Sequence, residues 1–256
     1  MTKPLILITN DDGVNAPGIE RLIDIAKTFG DVTVVAPEFP MSGSGHAVTV
    51  REPLRVTKVE ENGSFKKFSC NGTPVDCVKL GEQIVLKRKP DLLLSGINHG
   101  SNAAVNVVYS GTMAAVIESA IGGVTSIGFS LTTHSWDADF SASEKYVAQV
   151  VSQVLKNGLP DGICLNVNIP SINGDEIRGL KICRQAKSKW IEEFDERKDP
   201  GNRKYYWLKG IFELMDPGED TDIWALRNNY VSVVPVHADL TAHHVIDNIK
   251  KWKLDA

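Results

Sequence analysis

Two aspartates stand side by side at Asp11-Asp12, directly behind the apolar run Leu5-Ile6-Leu7-Ile8 and just before Gly13. Converging carboxylates repel each other unless a cation or a proton lies between them. One chemistry such a pair supports is a hard divalent metal site; the plainer alternative is a helix-capping Asp beside a solvated one. Two more segments carry polar groups in glycine-rich settings. Met41-Ser42-Gly43-Ser44-Gly45-His46 brings hydroxyls, backbone amides and a histidine. Gly96-Ile97-Asn98-His99-Gly100-Ser101-Asn102 brings amides, a hydroxyl and, at Asn98, a neutral oxygen suited to a hard cation. Tyr109-Ser110-Gly111-Thr112 opens an apolar stretch, 113–117. Hydroxyls and unpaired amides at a helix start form an anion site, and equally an ordinary N-cap.

Single residues within these segments stay ambiguous. His46 reads as a proton donor or as an ordinary loop histidine. His99 shares no metal-type spacing with another histidine, so it reads as a neighbour rather than a ligand. Gly43 and Gly45 give half of a GxGxxG pattern, but Val48 holds the third glycine position and no helix opens there, which excludes a dinucleotide fingerprint. In Asn71-Gly72-Thr73-Pro74, capping suffices: Thr73 suits the N-cap, Pro74 the first helical position and Asp76 the first turn. Glu118 lies within an apolar helix and requires a partner. Trp136 either stacks on a base or anchors its loop.

The elements that must position these groups follow from hydrophobic pattern. The run at 4–9 reads as a buried parallel strand, which puts Asp11-Asp12 at its carboxyl end, where open α/β sheets bind ligands. Ile19, Leu22, Ile23 and Ala26 recur at helical spacing behind Pro17, and 32–36 is a second buried strand. This β-α-β unit implies a parallel sheet with a right-handed crossover. Short antiparallel edge strands are expected in 47–70 with a turn at 61–63, further strands at 91–95, 124–129, 163–167 and 230–234, and a helix over 141–156. From about residue 184 the chain turns charged. Tyr205–Leu208 and Ile211–Leu214 flank Lys209-Gly210, the pattern of an aromatic hairpin with a two-residue turn. The tail 239–252 places Val245, Ile246, Ile249 and Trp252 on one helical face with Asp239 as its cap. Two regions result: a catalytic core, 1–183, and an arm, 184–256, of hairpin, strand and C-terminal helix that is not an independent domain.

The 256 residues, 42% of them apolar, suffice for one large α/β domain and argue against disorder. A formal charge of -4 argues against a binder of nucleic-acid duplex. Cys70, Cys77, Cys164 and Cys183 form no CxxC pair and suit a reducing compartment. No signal-type start and no apolar span of membrane length is evident, so a cytoplasmic protein without a membrane partner is expected.

Taken together, NDDGVNAPGI, VVAPEFPMSGSGHAVTV, NGTPVDCVKLG, DLLLSGINHGSN, YSGTMAAVIE and VPVHADLTAHH occur in an order that resembles the SurE family of survival-protein nucleotidases. The resemblance runs from Ile6 to about His244 and rests on the ordered set. It implies a Rossmann-like core of mostly parallel sheet with helices on both faces, a projecting β-hairpin and an extended tail helix exchanged between protomers of a homodimer or homotetramer. It also implies a metal-dependent phosphomonoesterase acting on nucleoside 5'- and 3'-monophosphates. Carried over motif by motif, the metal ligands are Asp11, Asp12, Ser42 and Asn98, with one Mg²⁺ or Mn²⁺ per subunit. Ser110, Gly111 and Thr112 would hold the phosphate, with Asn10, Ser44, His46 and Asn102 as further candidate substrate contacts. Three places depart from the family pattern: Met41 where arginine is common, the loop 102–106 without its usual glycine and acidic residue, and Ser119 where glycine is common. None touches the four ligands, so they bear on substrate preference.

The mechanism this suggests is in-line hydrolysis, with Asp11 or Asp12 accepting a proton from water and His46 or His99 protonating the leaving oxygen. One rival keeps the reaction but makes Asp11 or Asp12 a nucleophile. Another is a metal-dependent nucleotide-binding or phosphotransfer protein without hydrolase activity.

Overall fold

A computed structural model describes residues 3–252 and Leu254. Strand β1 (Leu5–Thr9) buries Ile6, Leu7 and Ile8 completely. Helix α1 (Pro17–Ala26) starts on its proline and turns Ile19, Leu22, Ile23 and Ala26 inward before β2 (Asp31–Pro37) pairs parallel with β1. The chain continues through β3 (Val56–Asn62), β4 (Phe65–Cys70), α2 (Pro74–Leu80), β5 (Leu92–His99), α3 (Asn106–Tyr109), α4 (Gly111–Ile121), β6 (Ser126–Leu131), α5 (Ser141–Asn157) and β7 (Ile163–Ile169). Strands β8 (Leu180–Ile182), β9 (Ser188–Lys198) and β10 (Lys204–Leu214), helix α6 (Asp222–Arg227), strand β11 (Val231–His237) and helix α7 (Ile246–Lys250) complete it.

Nine strands form one sheet in the order β3-β4-β2-β1-β5-β6-β7-β11-β8. Pairing is parallel except between β3 and β4 and between β7 and β11. Side chains alternate along β1, so Ile6 and Ile8 join the core under α1 and α5 while Leu7 joins the one under α2 and α4. The sheet is therefore covered on both faces, as a mostly parallel α/β fold requires. From β1 the order runs one way to β2 and the other way to β5 and β6. The switch point lies between the carboxyl ends of β1 and β5, where Asp11, Asp12 and Asn98 stand. No helix among the described residues is long and apolar enough to cross a membrane.

Three expectations need correction. Residues 47–55 contain no strand; the edge pair is confined to β3 and β4. The hairpin does not turn at Lys209-Gly210. These residues lie inside β10, where Gly210 pairs with Glu192 of β9, and the turn is at 199–203. There Asp199 accepts from the Arg203 amide, and Asn202 takes positive φ of 60°. Gly210 is glycine for space, because a Cβ would lie 3.1 Å from Trp190 Cε3. The tail helix is also shorter than its pattern. A 3₁₀ turn, His243–Val245, precedes the five-residue α7, and Asp239 bonds Thr241 and His243 instead of capping that helix.

Candidate active site

Past β1 the backbone turns at Gly13, whose φ of +106° favours glycine. Asn10 fixes the turn: its amide donates to Gly13 O at 2.9 Å and its oxygen accepts from Gly13 N. Both polar ends of Asn10 are thus engaged by the loop that presents Asp11 and Asp12. Those two side chains are nearly buried and pair with no Lys or Arg among the described residues. Asp11 Oδ1 accepts from Thr112 Oγ1 at 2.5 Å. Burial first, and the charge of Asp12 second, push the Asp11 carboxyl up to about 6. Asp12 Oδ2 accepts from both the backbone N–H and the ring Nδ1 of His99, each at 3.0 Å. A carboxylate only accepts, so Nδ1 carries a proton. Trp136 stacks on the His99 ring and Phe140 meets it edge-on, each with centroids 5.1 Å away. Trp136 thereby ties its loop to the site. His99 Nε2 is buried and has no hydrogen-bond partner.

Asp11, Ser42, Asn98 and Ser110 open together on a cavity of about 560 Å³. Asn98 donates through Nδ2 to Gly100 O at 2.8 Å, which leaves its oxygen for the cavity. Ser42 sits at the exposed apex of a loop held by Met41 N to Asp11 O and Gly45 N to Tyr109 O. Ser44 Oγ is buried without a partner. Ser110 caps α4, its hydroxyl accepting from Met113 N at 3.0 Å. Gly111 packs against Asp11: a Cβ there would meet Asp11 Cβ at 2.8 Å and Ser44 Oγ at 3.1 Å. Thr112 is fully buried behind this layer, its hydroxyl committed to Asp11. His46 lies off the cavity wall, bonded through Nε2 to Glu118 at 2.8 Å. Glu118 also pairs with Lys79. Burial opposes its charge, but these two partners prevail and hold the carboxyl below its usual range.

Part of the far wall comes from the hairpin, which the sequence reading left outside the site. Trp190 and Phe212 at the hairpin base line the cavity, with Trp190 Nε1 donating to Asn106 Oδ1 at 2.9 Å. Asn102 lines it as well, with its amide donating to Ser130 Oγ. Its backbone is clamped by Asn168 Oδ1 and Asn166 Nδ2 from β7. The alternation Asn166-Val-Asn168 in a buried strand was a readable sign of such a network. Asp222 is fully buried and accepts from the amides of Ala104 at 2.7 Å, Ala186 at 2.9 Å and Ile223 at 2.8 Å. It joins the cavity loop to the root of the hairpin. Nothing in its local sequence beyond a helix start pointed to it.

Among the described residues no three His, Cys, Asp or Glu side chains converge as a metal cluster. The grouping here is of another kind: two carboxylates without a Lys or Arg partner, a hydroxyl and an amide oxygen, all hard donors. Buried carboxylates of this kind, beside an orphaned Ser44 hydroxyl, fit a small divalent cation. The class this defines is a doubly wound α/β protein with an oxygen-donor site at the sheet's switch point. A family model described as survival protein SurE matches residues 6–192. The chain is 52% identical over 256 residues to "5'-nucleotidase SurE" of Flavobacterium psychrophilum, covering 100% of both. With the protein of the same name from Christiangramia forsetii it shares 54% over 255 residues, covering 99% of this chain and 98% of the other. The crystal structure of the SurE protein from Aquifex aeolicus superposes with a TM-score of 0.83 at 40% identity, covering 98% of this chain and 100% of that one. The chain belongs to the SurE family.

Proposed function

We propose that the chain is a 5'-nucleotidase working as a metal-dependent phosphomonoesterase, releasing phosphate from nucleoside 5'- and 3'-monophosphates. The observation that carries this reading is the pair of buried aspartates without a Lys or Arg partner among the described residues, one of which opens with Ser42 and Asn98 on a substrate-sized cavity. Asp11, Asp12, Ser42 and Asn98 would hold one Mg²⁺ or Mn²⁺. When bound, that ion supplies Lewis-acid charge to a phosphoryl oxygen and acidifies water.

The chain's own residues supply the remainder. Asp11, which faces the cavity, is the carboxylate placed to accept the proton of the attacking water. Asp12 is held by two bonds from His99 and keeps a fixed orientation. Ser110 and the Gly111 amide at the start of α4 receive the phosphate. Thr112 contributes through Asp11 rather than by direct contact. Of the two histidines only His99 lines the cavity, so as an imidazolium, with one N–H on Asp12 and the second proton on Nε2, it is the one placed to protonate the leaving oxygen. Ser44 and Asn102 flank the substrate. The aromatic wall of Trp190 and Phe212 offers the apolar surface a nucleoside needs.

In this reading 1–183 forms the catalytic core and 184–256 serves association, through the hairpin and a tail exchanged within a homodimer or homotetramer, although β11 itself joins the main sheet. Four free, buried cysteines suit the cytoplasm. The deciding experiment is phosphate release from AMP and GMP with Mn²⁺ or Mg²⁺, then with excess EDTA. Release that EDTA abolishes and added metal restores supports the reading; nucleotide binding without release favours a binding protein instead.

A further inference from the structure

One face of the hairpin looks toward the catalytic loops. Residues directly opposite in an antiparallel pair share a face, so Trp190 with Phe212, Glu192 with Gly210 and Phe194 with Leu208 form successive rungs on it. The middle rung has a side chain on one strand only. A hollow of about 290 Å³ lies at this rung, lined by Trp190, Glu192, Leu208, Lys209 and Gly210 of the hairpin and by Tyr109. Tyr109 and Trp190 line both this hollow and the main cavity. Tyr109 is also covalently next to Ser110, so one residue of the hollow's lining adjoins the phosphate end of the site.

The Trp190 ring is fixed before any ligand arrives. Its Nε1–H is bonded to Asn106, and Phe212 packs edge-on against it with centroids 5.6 Å apart. The ring also packs over Gly210, where a Cβ would come within 3.1 Å of Cε3, and the part of it left open lines both the hollow and the main cavity. A rigid indole face of this sort is a stacking platform for a planar ring. The polar groups at the rim are unequal. Lys209 is paired with Asp195 at 3.0 Å, whereas Glu192 is exposed and has no ion pair among the described residues. An ionised carboxylate accepts through two oxygens and donates nothing.

We infer that the hollow between Tyr109 and Trp190 is the nucleobase subsite and that Glu192 selects guanine. The inference rests on the nucleotidase reading for its phosphate end. Guanine presents adjacent N1–H and N2–H donors on its Watson–Crick edge, which match the two oxygens of Glu192. Adenine presents a donor beside an acceptor there, and the acceptor faces a carboxylate lone pair.

The test separates the base from the phosphate. Equilibrium binding of guanosine and adenosine, which carry no phosphate, is measured alongside kcat/KM for GMP, AMP and ribose 5-phosphate. Variants are Glu192→Gln, Gly210→Leu, which crowds the hollow and the Trp190 ring beside it, and Glu193→Gln on the opposite hairpin face as control. Wild type is expected to bind guanosine at least roughly tenfold more tightly than adenosine, a difference of about 1.4 kcal/mol. Gln offers one acceptor and one donor, which suit guanine O6 and N1–H as well as adenine N1 and N6–H, so Glu192→Gln abolishes the preference for guanosine and GMP. Gly210→Leu lowers the ratio of GMP to ribose 5-phosphate roughly tenfold or more, and Glu193→Gln behaves as wild type. Equal nucleoside affinities in wild type, or guanosine binding that survives both Glu192→Gln and Gly210→Leu, overturn the assignment. Absence of phosphate release from every ester would instead overturn the nucleotidase reading, with guanosine binding still deciding the subsite.

Discussion

Thr112 gives its hydroxyl to Asp11 Oδ1 at 2.5 Å across 101 residues of sequence, fastening the first strand's loop to the first turn of α4. The hydroxyl sits behind the cavity wall, so in the proposed reaction it acts through the carboxylate and not on phosphate. Thr112→Val keeps the shape and removes that bond. A bond to a charged group is worth about 1.5–3 kcal/mol, so apparent Mn²⁺ affinity and kcat/KM are expected to fall roughly tenfold or more. Thr112→Ser should recover most of the loss. Unchanged metal dependence in Thr112→Val would reduce Thr112 to a packing residue.

Asp11→Asn removes charge and little volume. Turnover is expected to vanish, while the melting temperature of the metal-free protein holds or rises, because Asp12 loses a like-charged neighbour in a buried site. Circular dichroism with phosphate release distinguishes this from unfolding. Retained turnover in the variant would remove Asp11 from the site.

Gly111 has a sharper constraint than its motif conveyed. A Cβ at 2.8 Å from Asp11 Cβ has to displace that aspartate. Gly111→Ala is expected to lower kcat/KM by about 10²-fold, the scale of an ångström-sized misplacement. Stability should drop by about 1–3 kcal/mol, as in other overpacked sites. Wild-type activity would mean that the α4 start yields freely.

Asp11 also sets a pH dependence. Its carboxyl rises from 3.8 to about 6 on folding. Between these values the folded protein holds a proton that the unfolded chain has released. This group's contribution to stability is therefore complete below about pH 4 and lost as pH rises through about 6. Metal-free wild type should gain stability relative to Asp11→Asn when the buffer moves from about pH 7 to about pH 5. A divalent cation takes the place of that proton, so Mn²⁺ should raise the melting temperature more at the higher pH. Equal metal increments at both would exclude exchange between proton and metal at Asp11.

Much of this architecture was legible because single residues determine it locally. The run at 5–8, Pro17 with its helical face and the Thr73-Pro74 cap each had one low-energy outcome, and the strand ends brought Asp11, Ser42 and Asn98 to one cavity. The hairpin turn was misplaced because Lys209-Gly210 looks like a turn when Gly210 is read for its backbone freedom. Its actual role depends on Trp190 across the strand pair, a partner that local sequence does not reveal. Asp199-Pro200-Gly201-Asn202 was the stronger turn signal. Asp222 escaped notice for a related reason: its three amide partners come from 104, 186 and 223, two of them remote in sequence. His46 and His99 could not be ranked until Glu118 and Asp12 appeared as their separate partners.

The tail poses the remaining problem of burial. Leu240 is 94% exposed, Trp252 68% and Leu254 76%, and no residue of α7 is buried. A five-residue helix has almost no stability of its own in water, and its apolar face requires a surface to cover it. The extended β11 leads away from the core at His237, which lets the tail reach a second subunit. Exchange of this segment between two copies would satisfy it symmetrically, as closed dimers do. Multi-angle light scattering of the full chain should therefore give a dimer or tetramer, the latter if the aromatic hairpin faces also pair. Deleting 241–256 should give monomer or aggregate with reduced turnover, although Asp11, Asp12, Ser42 and Asn98 are all retained. A full-length protein that runs as a clean monomer at micromolar concentration would exclude exchange of the tail.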